Sequence, residues 1–155
     1  IIFASLFLFS VVNAAGHLSE KERKATLGEK YVEENLANAN DFTKPFQEMM
    51  TSWCWGFGWG DKCIDRKTRS MMNLAMLGAL GKMEEWSIHC EGAQRNGVTK
   101  DEIRAIIHVI GIYCGVPQAL ECFRAANKVF ADDDLSTENK NKDAKIIIFF
   151  IIKLI

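Results

Sequence analysis

The chain has 155 residues, and 19 Lys and Arg against 20 Asp and Glu leave a net charge of −1. Near-neutrality removes any electrostatic reason to expect nucleic acid as a partner, and 11 Gly with 2 Pro exclude collagen-like or proline-rich architecture. Five Cys is an odd number, so complete disulfide pairing within one chain is also excluded.

Residues 1–15, IIFASLFLFSVVNAA, are apolar and uncharged. They fall short of the roughly 20 residues of a membrane-crossing helix and match the core of a secretory signal, with Ala14 and Ala15 as small residues near a cleavage point. The expectation is export through the secretory pathway, with a truncated membrane anchor as the alternative. Six helices are expected after it. Ser19 to Glu22 form a capping box that opens a polar helix to about Ala39. A second runs from about Thr43 through Phe46, Met49, Met50 and Trp53 towards Trp55, with Pro45 tolerated in its first turn. GFGWGDKCI, residues 56–64, reads as a loop.

Asp65 is a fair N-cap for the third helix, in which Met72, Ala75, Met76, Ala79 and Leu80 recur at helical spacing. Leu74 and Leu77 lie on its other sides, which places it at the centre of a bundle. Gly81 punctuates, and the fourth helix carries Met83, Trp86, Cys90 and Ala93 before Asn96-Gly97. Thr99 to Glu102 form a second capping box, followed by a stripe of Ile103, Ile106, Ile107, Ile110 and Cys114. Gly115 ends that helix, and Pro117 enters the sixth, which buries Ala119, Leu120, Phe123 and Phe130. No segment alternates apolar and polar residues as a sheet requires, so the expected fold is an all-α, six-helix bundle over residues 16–131. Residues 132–155, a polar run followed by IIIFFIIKLI, are expected to stand outside it as a linker and apolar tail. Membrane association is expected only where a terminal apolar segment is retained.

His89 is the polar residue of most chemical interest, because an imidazole beside an apolar stripe can exchange a proton near neutrality. The alternative is a hydrogen-bonded histidine at a helix seam. His108 lies on a solvated edge, and His17 stands beside the cleavage point. These scattered histidines have no Cys or carboxylate at ligand spacing, so no metal site and no cofactor are expected. Cys90, Cys114 and Cys122 lie on or near apolar faces, while Cys54 and Cys63 are the best placed for a disulfide in an exported chain. The aromatic run from Trp53 to Gly60 suits a pocket wall or a subunit contact. Arg69 is placed to clamp a carboxylate, or to pair with Asp65 one turn earlier.

Four motifs stand in order: Trp55-Gly56-x-x-Trp59, Ile64-Asp65-Arg66-Lys67-Thr68-Arg69-Ser70, His89-x-x-x-Ala93-x-x-Asn96-Gly97-Val98-Thr99, and Tyr113-x-Gly115-Val116-Pro117. With Leu27 to Val32 upstream, they resemble the carboxymuconolactone decarboxylase family over roughly residues 24–131. The resemblance implies an all-helical subunit of the alkylhydroperoxidase-D-like type, a trimer or hexamer, and decarboxylation of a small acidic lactone. It casts His89 as the proton donor, Arg69 as the residue orienting the acid, and Trp55, Trp59 and Tyr113 as pocket residues. It also implies work in the cytosol, against the exported reading of residues 1–15.

Peroxidases of the same superfamily carry CxxCxxxH, and the two cysteine positions before His89 are here Lys82 and Glu85. That thiol chemistry is therefore absent from this helix, and a peroxidase-like redox protein is the least favoured reading. Phe57 stands where the family carries an acid, and Asp61 where it carries a cation. Those departures keep a non-catalytic oligomeric binding protein as the main alternative.

Overall fold

A computed structural model describes residues 19–154, with side chains through Asp134 and at Lys142, and contains no strand among them. The signal-like segment 1–15 and His17 lie outside the described residues. Among the described residues the all-α expectation holds, but seven α-helices stand there where six were expected: α1 (residues 19–27), α2 (Glu29–Ala37), α3 (Lys44–Met50), α4 (Arg66–Ala79), α5 (Met83–Arg95), α6 (Lys100–Cys114) and α7 (Val116–Leu154).

The additional helix comes from a break in the first one. Gly28 adopts φ 93°, a left-handed conformation that side chains resist, and the chain turns there between α1 and α2. Arg95, at the end of α5, donates from Nη1 to the Leu27 carbonyl at 3.0 Å and so occupies a backbone acceptor at the break. Ser19 is already helical, so the start of α1 lies outside the described residues. Glu22 does not serve a capping box there, because its carboxylate is taken up by Lys62 and Arg66, each at 2.8 Å.

Helices α4 to α7 form the main core. Leu74, Trp86, Cys90, Ile103, Ile107, Ile110 and Cys122 interlock there with little or no exposure. The caps read from sequence are in place: Asp65 accepts from the Thr68 N–H, and Thr99 and Glu102 close a reciprocal capping box. The inward line of α4 is Ser70, Leu74 and Gly78, whereas Met72, Met76 and Leu80 face outward. Spacing points to the outward stripe, with Leu74 on another side. The inward line is buried because Gly78 admits Ile110 and Cys122 at close range. Cys114, expected near an apolar face, is exposed at the end of α6.

A second, smaller cluster of Leu27, Val32 and Trp55 joins α1 and α2 to the segment after α3. Phe46, Met49 and Trp53 of that region are exposed, so only part of its apolar surface is covered within one chain. Helix α7 does not end near Phe130. It holds no Gly or Pro beyond Pro117, and its backbone runs helically through the expected linker to Leu154. Asp134 is tied to Lys100 of α6 at 3.3 Å. No helix among the described residues is long and apolar enough to cross a membrane.

Forcing an L side chain into a left-handed backbone costs about 1–2 kcal/mol. Gly28→Ala should lower the unfolding free energy by about that amount in urea denaturation. An unchanged midpoint would contradict this account of the break.

Candidate functional site

The site grows from an irregularity that sequence periodicity did not reveal. Beyond α3 the helix widens into a π-helical stretch, Thr51–Gly58, where a glycine-rich loop was expected. Its last turn is closed by the Trp59 N–H bonding to the Cys54 carbonyl five residues back, at 2.8 Å. A Cβ at Gly60 would overlap the Gly56 carbonyl, so glycine is required for this tight exit. The stretch buries Trp55 and stacks it on Trp59 with ring centroids 4.9 Å apart.

His89 of α5 lies against both rings, 6.2 Å from Trp55 at an interplanar angle of 7° and 6.1 Å from Trp59 at 21°. Its Nδ1 is 2.9 Å from the carboxamide nitrogen of Asn73 on α4. Burial pushes its pKa down from the usual value to about 4, so the ring is neutral at neutral pH. This places His89, Trp55 and Trp59, all selected from sequence, in one cluster.

Arg69 stands one helical turn before Asn73 on α4. It makes no ion pair with Asp65. Its Nη2 instead donates to the backbone carbonyls of Asp61 at 2.7 Å and Ile64 at 3.2 Å, which ties down the loop leading into α4. Its Nε is buried and has no hydrogen-bond partner. Asp61 accepts from the Cys63 N–H at 2.8 Å, and this bond holds its carboxyl below the usual range. Phe57, at the position where the family carries an acid, is 78% exposed. Tyr113 is not brought to the ring stack and stands 82% exposed near the end of α6.

Cys54 and Cys63 are both free and exposed, so the disulfide considered for them is not formed. His108 is exposed at the edge of α6, 5.9 Å from the Phe123 ring. A cavity of about 370 Å³ opens beside Trp55, walled by Ser19, Glu22, Ser52, Phe57 and Lys62 among others. It shares Trp55 with the stack, but His89 is not on its wall. Arg23 of α1 reaches the start of the π-helical stretch. It is 3% exposed and donates to the Thr51 hydroxyl at 3.1 Å.

Sequence reasoning missed Asn73 and Arg23. A buried-face arginine on α1, four residues after Ser19, was the available signal for Arg23. Asn73 offered only its position, four residues after Arg69.

Among the described residues the chain is thus all-helical and holds a neutral histidine against a pair of stacked tryptophans. A model of the carboxymuconolactone decarboxylase family matches residues 44–128. The chain is 38% identical over 121 residues to a 4-carboxymuconolactone decarboxylase of Acinetobacter baylyi, covering 78% of this chain and 90% of that protein. It is 40% identical over 112 residues to the nitrosuccinic acid decarboxylase npaB of Metarhizium robertsii, covering 72% of this chain and 78% of that protein. The chain belongs to the carboxymuconolactone decarboxylase family.

A histidine kept neutral by the fold binds fewer protons than in the unfolded chain wherever the pH lies between about 4 and its usual value of 6.5. Stability should therefore fall as pH drops through that window and level off below it as far as His89 is concerned. His89→Gln should flatten the slope above the carboxylate range, measured by denaturant unfolding at a series of pH values. An identical slope in the variant would show that His89 is not held neutral.

Proposed function

We propose that the chain decarboxylates a small acidic lactone or a related carboxylate, with His89 supplying the proton and Arg69 receiving the acid. Decarboxylase is the enzyme class carried by the family and by both relatives. The observation that carries the reading is the neutral imidazole of His89, held by Asn73 and covered by two indoles.

In such a substrate the bond to the carboxylate carbon breaks and its electron pair passes through the adjoining double bond to the lactone carbonyl. CO2 leaves, and a proton must return to carbon. His89 is neutral before substrate arrives, but an anionic carboxylate beside it favours the charged ring. The complex then takes up a proton from solvent, and the imidazolium delivers it as the carbon gains electron density. The Arg69 guanidinium, with its Nε unpartnered one turn away, is the cation that orients the acid.

The same reading has the chain assemble into a trimer or hexamer. Met76 and Leu80 on α4, Ile112 and Tyr113 on α6, and Val116 on α7 are all exposed and apolar or aromatic, as a subunit contact requires. Tyr113 then meets a neighbouring copy rather than its own ring stack. The exposed Phe57 favours one second reading, a binding protein that keeps the assembly without turnover.

The test is CO2 release from 4-carboxymuconolactone and related acidic lactones, with assembly measured by sedimentation of the same sample. Turnover by an oligomer is expected, with a loss of about 10²- to 10⁴-fold in His89→Gln. Arg69→Lys is expected to act mainly on KM, because it keeps the charge but loses the planar guanidinium and its Nε donor. Full turnover in His89→Gln would overturn the proton donor. A folded, assembled wild type without turnover would favour the binding protein.

A further inference from the structure

We propose that Asn73 is the positioning residue of this reaction: its carboxamide holds His89 Nδ1 and keeps the proton of the resting ring on Nε2. The proposal rests on the reading of His89 as the proton donor. The geometry is specific. The group 2.9 Å from Nδ1 is the carboxamide nitrogen, which donates hydrogen bonds and cannot accept them. Nδ1 must therefore present its lone pair, and a neutral imidazole with a bare Nδ1 carries its proton on Nε2. That is the nitrogen remote from α4, free to face a substrate.

The backbone leaves this pair little choice of register. Leu74, the next residue on α4, accepts the indole N–H of Trp86 from α5 at 3.1 Å. Trp86 precedes His89 by three residues and is fully buried. One hydrogen bond in the core thus sets the height of α5 against α4, and the Asn73–His89 bond reads out that height at the site. Burial is the cause of the lowered His89 pKa, with no charged neighbour contributing to it.

The identity of residue 73 follows from the chemistry. An Asp there would accept a hydrogen bond from Nδ1–H and favour the charged ring. A Leu would leave Nδ1 without a partner and both tautomers open. Asn presents its carboxamide nitrogen to Nδ1 and so serves the neutral ring with its proton on Nε2.

The experiment is long-range ¹H–¹⁵N correlation NMR of the histidine ring nitrogens over an acid-to-alkaline titration, with kcat and KM measured across the same range. It uses the wild type, Asn73→Asp and Asn73→Leu, each checked for native helical content. In the wild type at neutral pH, His89 should show a proton on Nε2 and a bare Nδ1. Asn73→Asp should move the titration of His89 upward, and the pH profile of kcat with it. Asn73→Leu should give mixed tautomers and lower kcat on the order of 10-fold, with KM little changed. If both variants keep the wild-type tautomer and titration, Asn73 does not position the ring. If tautomer and titration move while kcat and its pH profile stay fixed, His89 is not the proton donor, and the reading on which this inference rests is overturned.

Discussion

A single half-buried imidazole ring kept uncharged is the constraint around which this molecule is organised. His89 sits where three elements meet: α5 supplies the ring, α4 supplies the hydrogen bond from Asn73, and the π-helical turn supplies the two indoles. Burial is what lowers the pKa of the ring. Burial disfavours the charged form, and a donor at Nδ1 satisfies the neutral one, so the two act in the same direction. The four-helix core provides the rigidity, because Trp86 and Leu74 couple α5 to α4 only a few residues from the site.

The outer helices hold the indoles in place. Asn96 at the end of α5 donates to Ser70 of α4 at 3.0 Å and to Thr26 of α1 at 3.3 Å, joining three helices through one carboxamide. Ser70 and Thr26 are themselves buried, so these bonds are made away from competing water. Arg95 secures the α1–α2 break from the same end of α5. Glu22 of α1, with Lys62 and Arg66, fastens the loop that follows the π-helical turn. Burial alone would raise the Glu22 pKa, but the hydrogen bonds from the two cations outweigh it and hold the carboxylate ionised.

Most helix ends were legible because they are set by local chemistry. Asp65, Thr99 with Glu102, Gly81, Gly97 and Gly115 all act where the residue type predicts. Gly28 was missed because a single glycine inside a polar helical pattern is compatible with continuation. What breaks the helix there is supported by Arg95, far away in sequence. The π-helical turn was hidden for a related reason: three glycines among aromatic residues read as a loop, and the widened turn depends on packing around Trp55. On α4 the apolar spacing of Met72, Ala75, Met76, Ala79 and Leu80 points to a face that stays partly exposed. The line that packs, Ser70, Leu74 and Gly78, carries one large apolar residue and is buried through close contact at Gly78 with Ile110 and Cys122. His89, Trp55 and Trp59 announced themselves by residue type. Asn73 did not, since an asparagine gains a role only from the ring it faces.

The central claim is that His89 rests neutral and is charged by the arrival of an acid. Calorimetry of a non-reactive acidic lactone analogue binding to the assembled protein, in buffers of different ionisation enthalpy at mildly acidic pH, measures the protons exchanged. The account predicts net proton uptake in the wild type that disappears in His89→Gln. Binding with no proton uptake in the wild type would contradict it.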